Sequence, residues 1–294
     1  MGLFVAAPGL ETRIVVPGRA GRRSVGVPWG GPADRASYAL ANALVGNPVD
    51  APALEFALLG PTLRTDQTTS IAICGAPFEA QLESESLEAG RTFETKTGQV
   101  LRIGGTPTGC RGYLAVAGGF HNRPGLLKDT FLNCEPSAGS GRGYTFDPVS
   151  IEAIQLLRVL PGPQADWFSD REFYERIWTV SPSSNRMGVR LVGEPLNKAS
   201  RELVSEAVAP GAIQVANDGL PIILGVDGQT IGGYPKIAHI IRADMDRLGQ
   251  LRPGQAVQFR QVAPSEASLA AEQSKRSIAE KLMRIQFGPN LKKT

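Results

Sequence analysis

The chain has 294 residues, of which 34 are Gly and 22 are Pro, and it carries a net charge of +3 at pH 7. Gly and Pro together reach almost a fifth of the chain, compared with about 12 % in average proteins, while charged residues make up only 20 %. This composition excludes a coiled coil, a disordered chain and a charge-rich helical bundle. It favours short strands joined by tight turns, and the length allows two domains, so we predict a mostly β protein with two lobes.

The excess positive charge comes from residues 272–294, which hold six Lys or Arg side chains and two Glu. The rest of the chain is nearly neutral, whereas a nucleic-acid-binding domain presents a basic face. We therefore predict a solvated, basic tail helix and no nucleic-acid partner.

No segment of the sequence predicts a membrane or an export function. No apolar run approaches the ~18 residues that a membrane span requires. The N-terminus has neither a charged region nor a long apolar run, so it does not resemble a signal peptide. We expect a cytoplasmic protein without a membrane partner.

The cysteines and histidines predict no metal site. Cys74, Cys110 and Cys134 are odd in number and lack CxxC spacing, which argues against a disulfide framework and against a zinc site. His121 and His239 have no His, Cys or carboxylate partner at metal-ligand spacing. Cys74 ends a strand-like run, so we predict that it is a small buried hydrophobe.

The first half of the chain predicts one clear helix among strands. Asp34 is placed either to cap this helix or to act as a catalytic acid, and Tyr38, Ala41 and Val45 share one helical face. Strand-like runs follow at residues 53–59, 70–74, 78–82, 99–103 and 113–117. Their spacing is typical of an antiparallel barrel or sandwich.

The second half repeats this rhythm after a break. The glycine-rich stretch 138–143 is not followed by a helix, so it does not predict a phosphate-binding loop. A helix is predicted over 166–177 and another from about residue 266 to 285, with strand-like runs at 190–192, 211–216, 221–226 and 237–243. We predict an N-terminal β lobe at 1–155, a second β lobe at 156–264, and a C-terminal helix with its tail at 265–294.

Two arginines that lie four residues apart are candidates for binding an anion. Arg186 and Arg190, which follow Asn185, would share one face of an extended or helical segment. A guanidinium suits a carboxylate or a phosphate because its planar fork donates two parallel hydrogen bonds. The alternative is a structural arginine that donates to backbone carbonyls or to a buried carboxylate.

A polar, glycine-rich segment follows the apolar strand at 221–226. Its polar side chains are those of Asp227, Gln229, Thr230 and Tyr234, and its glycines include Gly232 and Gly233. Glycines allow backbone N–H groups to approach a ligand closely. The segment therefore predicts a binding pocket in the second lobe, the alternative being an elaborate turn whose side chains cap backbone groups.

Gln214 is a polar residue inside an apolar strand. A buried carboxamide needs a hydrogen-bond partner, so we predict that Gln214 points into the same pocket.

These segments closely resemble the allophanate hydrolase subunit 2 family. This is the biotin-dependent carboxyltransferase family, which includes the C-type subunit of 5-oxoprolinase and part of urea carboxylase. The resemblance covers nearly the whole chain, at residues 18–19, 26–28, 31–34, 41–47, 54–55, 113–119, 184–191, 211–215, 227–235 and 250–254.

The resemblance implies two cyclophilin-like β-barrel lobes with a few short helices and a C-terminal helix. It also implies a companion subunit of the subunit 1 type and a small amide or lactam substrate. The chain has no biotinyl-lysine motif and no P-loop. We therefore expect no cofactor bound by this chain alone, with ATP or biotin acting only through the complex.

The first lobe departs from the family pattern at two places. Val15 and Val16 stand where relatives have Gln-Asp, and a polar Gly-Ser-Arg-Ser-Thr-like stretch is absent around Leu127 to Thr130. The first lobe thus lacks polar groups that family members keep, while the second lobe retains the family pattern.

Two functions follow from the resemblance. The first is an enzyme subunit that hydrolyses a small amide, with 5-oxoproline as the implied substrate, or transfers a carboxyl group. Asp227 and Gln214 would be catalytic, backbone N–H groups near Gly232 and Gly233 would polarise the amide, and Arg186 or Arg190 would hold a carboxylate. The second is a non-catalytic regulatory or scaffolding paralogue that binds a subunit 1-type partner.

Overall fold

The computed structural model describes residues 2–127, 131–135, 152–168, 170–197 and 201–288. The predicted glycine-rich stretch 138–143, residues 128–130 of the divergent segment and the end of the tail lie outside these ranges. The described residues form 21 strands and four α-helices, which confirms a mostly β fold. No helix among them is long and apolar enough to cross a membrane.

The chain divides into two compact units that are not contiguous in sequence. The first unit comprises Met1–Pro17, Asp34–Ser150 and Arg276–Thr294, and the second comprises Gly18–Ala33 and Ile151–Lys275. The sequence predicts contiguous segments instead, at 1–155, 156–264 and 265–294. In that prediction Gly18–Ala33 belongs to the first lobe, whereas the structure groups it with the second unit. The reason is that Gly18–Ala33 makes long-range contacts within the second unit, which the order of the chain does not indicate.

The first unit contains two six-stranded antiparallel sheets. Its strands are β1 Gly2–Ala7, β2 Glu11–Val15, β3 Ala53–Ala57, β4 Thr62–Thr65, β5 Thr69–Gly75, β6 Ala80–Leu82, β7 Glu85–Leu87, β8 Thr92–Thr95, β9 Val100–Ile103, β10 Arg111–Val116, β11 Gly125–Leu126 and β12 Phe131–Asn133. The strand orders are β12-β1-β4-β9-β6-β7 and β11-β2-β3-β10-β5-β8. Side chains from both sheets, such as Leu63, Leu101, Phe56 and Ile73, form one shared core.

Helix α1, Arg35–Leu44, buries the other face of the second sheet. Of the two roles that the sequence leaves open for Asp34, the structure shows the helix cap: its carboxylate accepts hydrogen bonds from Ser37 N at 3.0 Å and from Ser37 Oγ at 2.7 Å. Cys74 is buried under the helix, as its pattern predicts, and so is Val15. The valine at this divergent position therefore serves as a core residue.

The second unit is built around a closed seven-stranded barrel of order β13-β20-β17-β18-β15-β14-β21. Its strands are β13 Ile154–Pro161, β14 Trp178–Val180, β15 Gly188–Val192, β16 Glu206–Ala207, β17 Ala212–Val215, β18 Pro221–Leu224, β19 Ile231–Gly232, β20 Lys236–Ile240 and β21 Ala256–Gln261. β16 and β19 form a separate two-stranded sheet. Large apolar side chains, including Trp178, Phe173 and Phe259, fill the barrel.

Three further α-helices are described. They are α2 Asp170–Glu175, α3 Met245–Gly249 and α4 Pro264–Phe287. The predicted helix at 166–177 is shorter than expected: a 3-10 turn at Ala165–Trp167 precedes α2. The predicted C-terminal helix is confirmed by α4.

Candidate functional site

A cavity of about 160 Å³ lies on the outer side of the barrel in the second unit. It is lined by Asn185, Met187, Gly188, Arg190, Gln214, Ile222, Leu224, Gln229 and Tyr234. The volume is below the ~300–1,000 Å³ of pockets for drug-sized ligands. The cavity therefore suits a small ligand.

The base of the cavity follows from the alternation of three adjacent strands. Arg190 on β15 is paired with Ile222 on β18, and Ile222 is paired in turn with Gln214 on β17. Their strand neighbours point into the barrel core: Val189, Leu191, Ile213, Val215 and Ile223. Because side chains alternate along a strand, Arg190, Ile222 and Gln214 must lie side by side on the opposite face.

Gln214 lies at the bottom of this cavity and is 1 % exposed. Its Nε2 donates to Tyr234 O at 3.3 Å, and its Oε1 accepts from Gln229 Nε2 at 3.5 Å. The glycine-rich segment after β18 thus supplies the hydrogen-bond partners that a buried Gln214 needs. Both contacts are long for hydrogen bonds, so the two carboxamides are available to a ligand that offers better geometry.

Gly232 allows the two carboxamides to approach the loop backbone. A Cβ at this position would lie 2.6 Å from Gln229 Nε2 and 2.7 Å from Gln214 Nε2. Real Cβ atoms do not tolerate such distances, so any side chain at residue 232 would displace both amides.

A buried lysine supports the strand pair β16–β19 that carries Gly232. Lys236 Nζ forms an ion pair with Glu206, whose Oε1 also accepts from Gln164 Nε2 at 2.9 Å. These hydrogen bonds, first from Lys236 and then from Gln164, lower the pKa of Glu206. Glu206 is directly paired with Gly232 between the two strands.

The two arginines that the sequence predicts as anion ligands have different surroundings: Arg186 is paired with a carboxylate, and Arg190 lines the cavity. Arg186 is buried and holds both carboxylate oxygens of Asp227, with Nε to Oδ2 at 2.8 Å and Nη2 to Oδ1 at 3.1 Å. Its Nη2 also donates to Gly31 O at 2.6 Å. Neither Arg186 nor Asp227 lines the cavity described above. We therefore interpret the pair as a structural ion pair and not as a ligand-binding site.

Arg190, by contrast, lines the cavity and is exposed. Its guanidinium meets no hydrogen-bond acceptor or carboxylate among the residues that the structure describes. Contrary to expectation, Arg186 and Arg190 do not share a face, because a tight turn bridges Asn185 and Gly188 between them. The pocket therefore has one open guanidinium within its described lining.

Of the remaining predicted residues, only some line the cavity. Asn185 lines it, and its Oδ1 accepts from Met187 N at 2.8 Å. Thr230 and Gly233 belong to the loop but not to the lining, and the backbone O of Thr230 accepts from Val208 N at 3.0 Å. Asp34 belongs to the first unit, where its carboxylate caps α1.

Sequence reasoning missed the apolar wall of the cavity and the contribution of Gly18–Ala33. Ile222 and Leu224 alternate with core residues on β18, so strand periodicity was the signal that would have identified them. No local pattern indicates that Gly30 N donates to Val226 O at 2.8 Å. Among the described residues, no group of three or more His, Cys, Asp or Glu side chains is arranged to hold a metal.

Several known proteins are similar to this chain. Residues 25–129 and 126–261 match the family model of the carboxyltransferase domain, subdomains A and B. The chain is 35 % identical to the C-type subunit of 5-oxoprolinase from Escherichia coli K12, and the match covers 96 % of this chain and 98 % of that protein.

Two crystal structures have a similar fold. That of TTHA0988 has a TM-score of 0.79 at 34 % identity, covering 88 % of this chain and 55 % of that one. That of the K. lactis urea amidolyase has a TM-score of 0.84 at 29 % identity, covering 95 % of this chain and 20 % of that one. The chain thus spans about half of the first protein and a fifth of the second.

Proposed function

The chain belongs to the carboxyltransferase domain family, subdomains A and B, and from this membership we propose that it is one subunit of an ATP-dependent complex acting on a small amide or lactam. The form that the site supports best is the C-type subunit of a 5-oxoprolinase, with 5-oxoproline as the substrate. We assign the ATP chemistry to the partner subunits, because the sequence contains no P-loop.

One observation carries this proposal: the cavity combines two carboxamides with an open guanidinium. Gln214 and Gln229 match the N–H and C=O of an amide, and Arg190 matches a carboxylate. 5-Oxoproline has both a lactam and a carboxylate, whereas urea has no carboxylate. The full-length similarity to a 5-oxoprolinase component supports the same choice.

In the proposed mechanism, Arg190 holds the substrate carboxylate and orients the lactam ring. The Nε2 of Gln214, at the bottom of the cavity, hydrogen-bonds to the lactam oxygen and polarises the carbonyl. Asn185 and Tyr234 border the ring. Asp227 acts through Arg186 as an orienting group, because both of its oxygens already accept hydrogen bonds from that arginine.

The test of this function is reconstitution. The chain is co-purified with a subunit 1-type partner, and the formation of glutamate from 5-oxoproline is measured with and without ATP. We expect turnover only when ATP and this chain are both present, and none with urea. The proposal would be refuted, and the scaffolding role favoured, if the partner turned over 5-oxoproline equally well when this chain is left out.

A Gly232→Ala substitution is expected to raise the KM for 5-oxoproline about tenfold or more, because the new methyl group displaces both carboxamides. The free energy of unfolding should change by less than about 2 kcal/mol, since the displaced atoms are the ends of flexible side chains. KM is measured in the reconstituted complex, and stability by urea titration of the chain.

Gly233→Ala is the matched control for this prediction. A Cβ at residue 233 would approach Ser205 Oγ at 3.2 Å and neither carboxamide. Equal effects of the two substitutions on KM would show that the carboxamide pair is not part of the site.

A further inference from the structure

The segment Gly18–Ala33, which we name the strap, contacts the loop that carries Gln229 and the ion pair beside it at three places. Gly30 N donates to Val226 O at 2.8 Å, and Arg186 Nη2 donates to Gly31 O at 2.6 Å. The third contact is made by the side chain of Arg23. The strap therefore follows the cavity loop without itself lining the cavity.

Arg23 bridges two backbone carbonyls at one end of the small β16–β19 sheet, where β16 ends and β19 begins. Its Nη2 donates to Gln229 O at 2.9 Å and also to Val208 O. Val208 N in turn donates to Thr230 O at 3.0 Å. One guanidinium thus ties the residue after β16 to the residues before β19, which include Gln229.

The strap presents this guanidinium from a compact turn. Residues Arg23–Val25 form a 3-10 turn that ends at Gly26, whose φ of 79° lies in the left-handed region. Gly26 N donates to Arg23 O at 3.0 Å, and Val27 N donates to Arg22 O at 3.2 Å. A glycine is favoured at such a φ, so the turn that aims Arg23 is specified by sequence.

The guanidinium of Arg23 is partly removed from water, which is unfavourable for a cation. Burial lowers its pKa, and its Nη1 is buried without a hydrogen-bond partner in the part of the chain that the structure describes. Its Nη2 donates to carbonyls rather than to a carboxylate. The stabilisation of this partly desolvated cation therefore depends on the geometry of the two carbonyls that it joins.

We propose that Arg23 is a positioning residue that sets the place of Gln229 in the cavity. The contact between Gln229 Nε2 and Gln214 Oε1 is already 3.5 Å long, so a small displacement of the loop would separate the two carboxamides. This inference rests on the proposed function for the identity of the substrate. The link between Arg23 and the loop does not depend on it.

The kinetic test uses Arg23→Met in the reconstituted complex. We expect the KM for 5-oxoproline to rise about tenfold, with kcat changed less than KM, because the loop is misplaced while the rest of the cavity remains. In a Gln229→Ala background the same substitution should have little further effect, since Arg23 acts through Gln229. Additive effects of the two substitutions on KM would overturn the proposal.

Arg22→Met is the matched control, because Arg22 lies next to the same turn and is exposed. It should leave KM unchanged. Arg23→Lys keeps the charge and a donor, and it should restore part of the affinity that Arg23→Met loses. The urea midpoint of each variant separates a folding defect from a change in the site.

A second readout needs neither ATP nor substrate. Hydrogen exchange of the isolated chain should be faster in Arg23→Met at Val208 N and Asp227 N, which donate to Thr230 O and Arg186 O, and unchanged in Arg22→Met. If wild-type complex does not act on 5-oxoproline, the proposed function fails while this measurement still tests the strap. If exchange at both amides is unchanged in Arg23→Met, Arg23 does not hold the loop in place, and the proposal is wrong.

Discussion

Replacing Asp227 by Ala is expected to lower the free energy of unfolding of the second unit by about 3–5 kcal/mol. The side chain of Arg186 is 4 % exposed and holds both oxygens of Asp227. Removing the carboxylate leaves that guanidinium charged, buried and without this anionic partner. The desolvation cost of the cation is then offset only by its remaining contacts, among them the hydrogen bond to Gly31 O.

Tryptophan fluorescence during a urea titration measures this effect in the correct unit. The three tryptophans of the chain, Trp29, Trp167 and Trp178, all belong to the second unit, and Trp178 is fully buried in the barrel. The transition that the fluorescence reports is therefore the unfolding of the barrel. A loss of less than about 1 kcal/mol would contradict the assignment of a structural ion pair between Asp227 and the buried guanidinium of Arg186.

Two variants control this prediction. Glu202→Ala removes an exposed acidic side chain of the same unit and should change stability by less than about 0.5 kcal/mol. The double substitution Arg186→Met with Asp227→Leu replaces both charges by apolar groups and should recover much of the lost stability. If it does not, the other contacts of Arg186, among them its hydrogen bond to Gly31 O, carry more of the stabilisation than the ion pair.

The ion pair also affects how a loss of activity is interpreted. An inactive Asp227→Ala variant would demonstrate a chemical role only if the barrel is still folded under the assay conditions. Asp227→Asn keeps the size of the side chain and one acceptor oxygen. Comparing the two at matched folded fractions separates the orienting role of Asp227 from its contribution to stability.

Replacing Arg190 by Ala is expected to raise the KM for 5-oxoproline by about 10- to 100-fold. A hydrogen-bonded ion pair with a carboxylate contributes about 1.5–3 kcal/mol, and this is lost with the guanidinium. kcat should change much less, because the proposed contact would be equally strong in the ground state and in the transition state. Steady-state kinetics of the reconstituted complex measure both constants.

Stability should be almost unaffected by this substitution. Arg190 is exposed, and its guanidinium has no partner within the described ranges, so removing it leaves no buried group unpaired. Arg190→Lys should retain part of the affinity, since an ammonium keeps the charge but lacks the planar fork.

The substrate offers an independent control. 2-Pyrrolidone has the lactam of 5-oxoproline without the carboxylate. It should bind wild-type complex about as weakly as 5-oxoproline binds Arg190→Ala. Equal KM values for 5-oxoproline in the wild type and in Arg190→Ala would exclude Arg190 as the carboxylate site.

Local patterns were sufficient to predict several local features of this chain. The cap at Asp34, the buried Cys74 and the C-terminal helix depend on neighbours a few residues away, so the sequence predicts them directly. Gln214 could be identified as a pocket residue for a similar reason. A polar side chain in the middle of an apolar strand must find a partner, whatever the fold around it.

Local patterns could not show that Gly18–Ala33 belongs to the second unit. Nor could they show that Arg186 and Arg190 have separate roles. Both depend on residues distant in sequence: Arg186 donates to Asp227 and to Gly31, while Arg190 stays open. Composition and spacing thus determine by themselves a β protein with a polar pocket in its second half. Only the tertiary structure decides which charges face that pocket, because a guanidinium is neutralised by whichever carboxylate folding brings next to it.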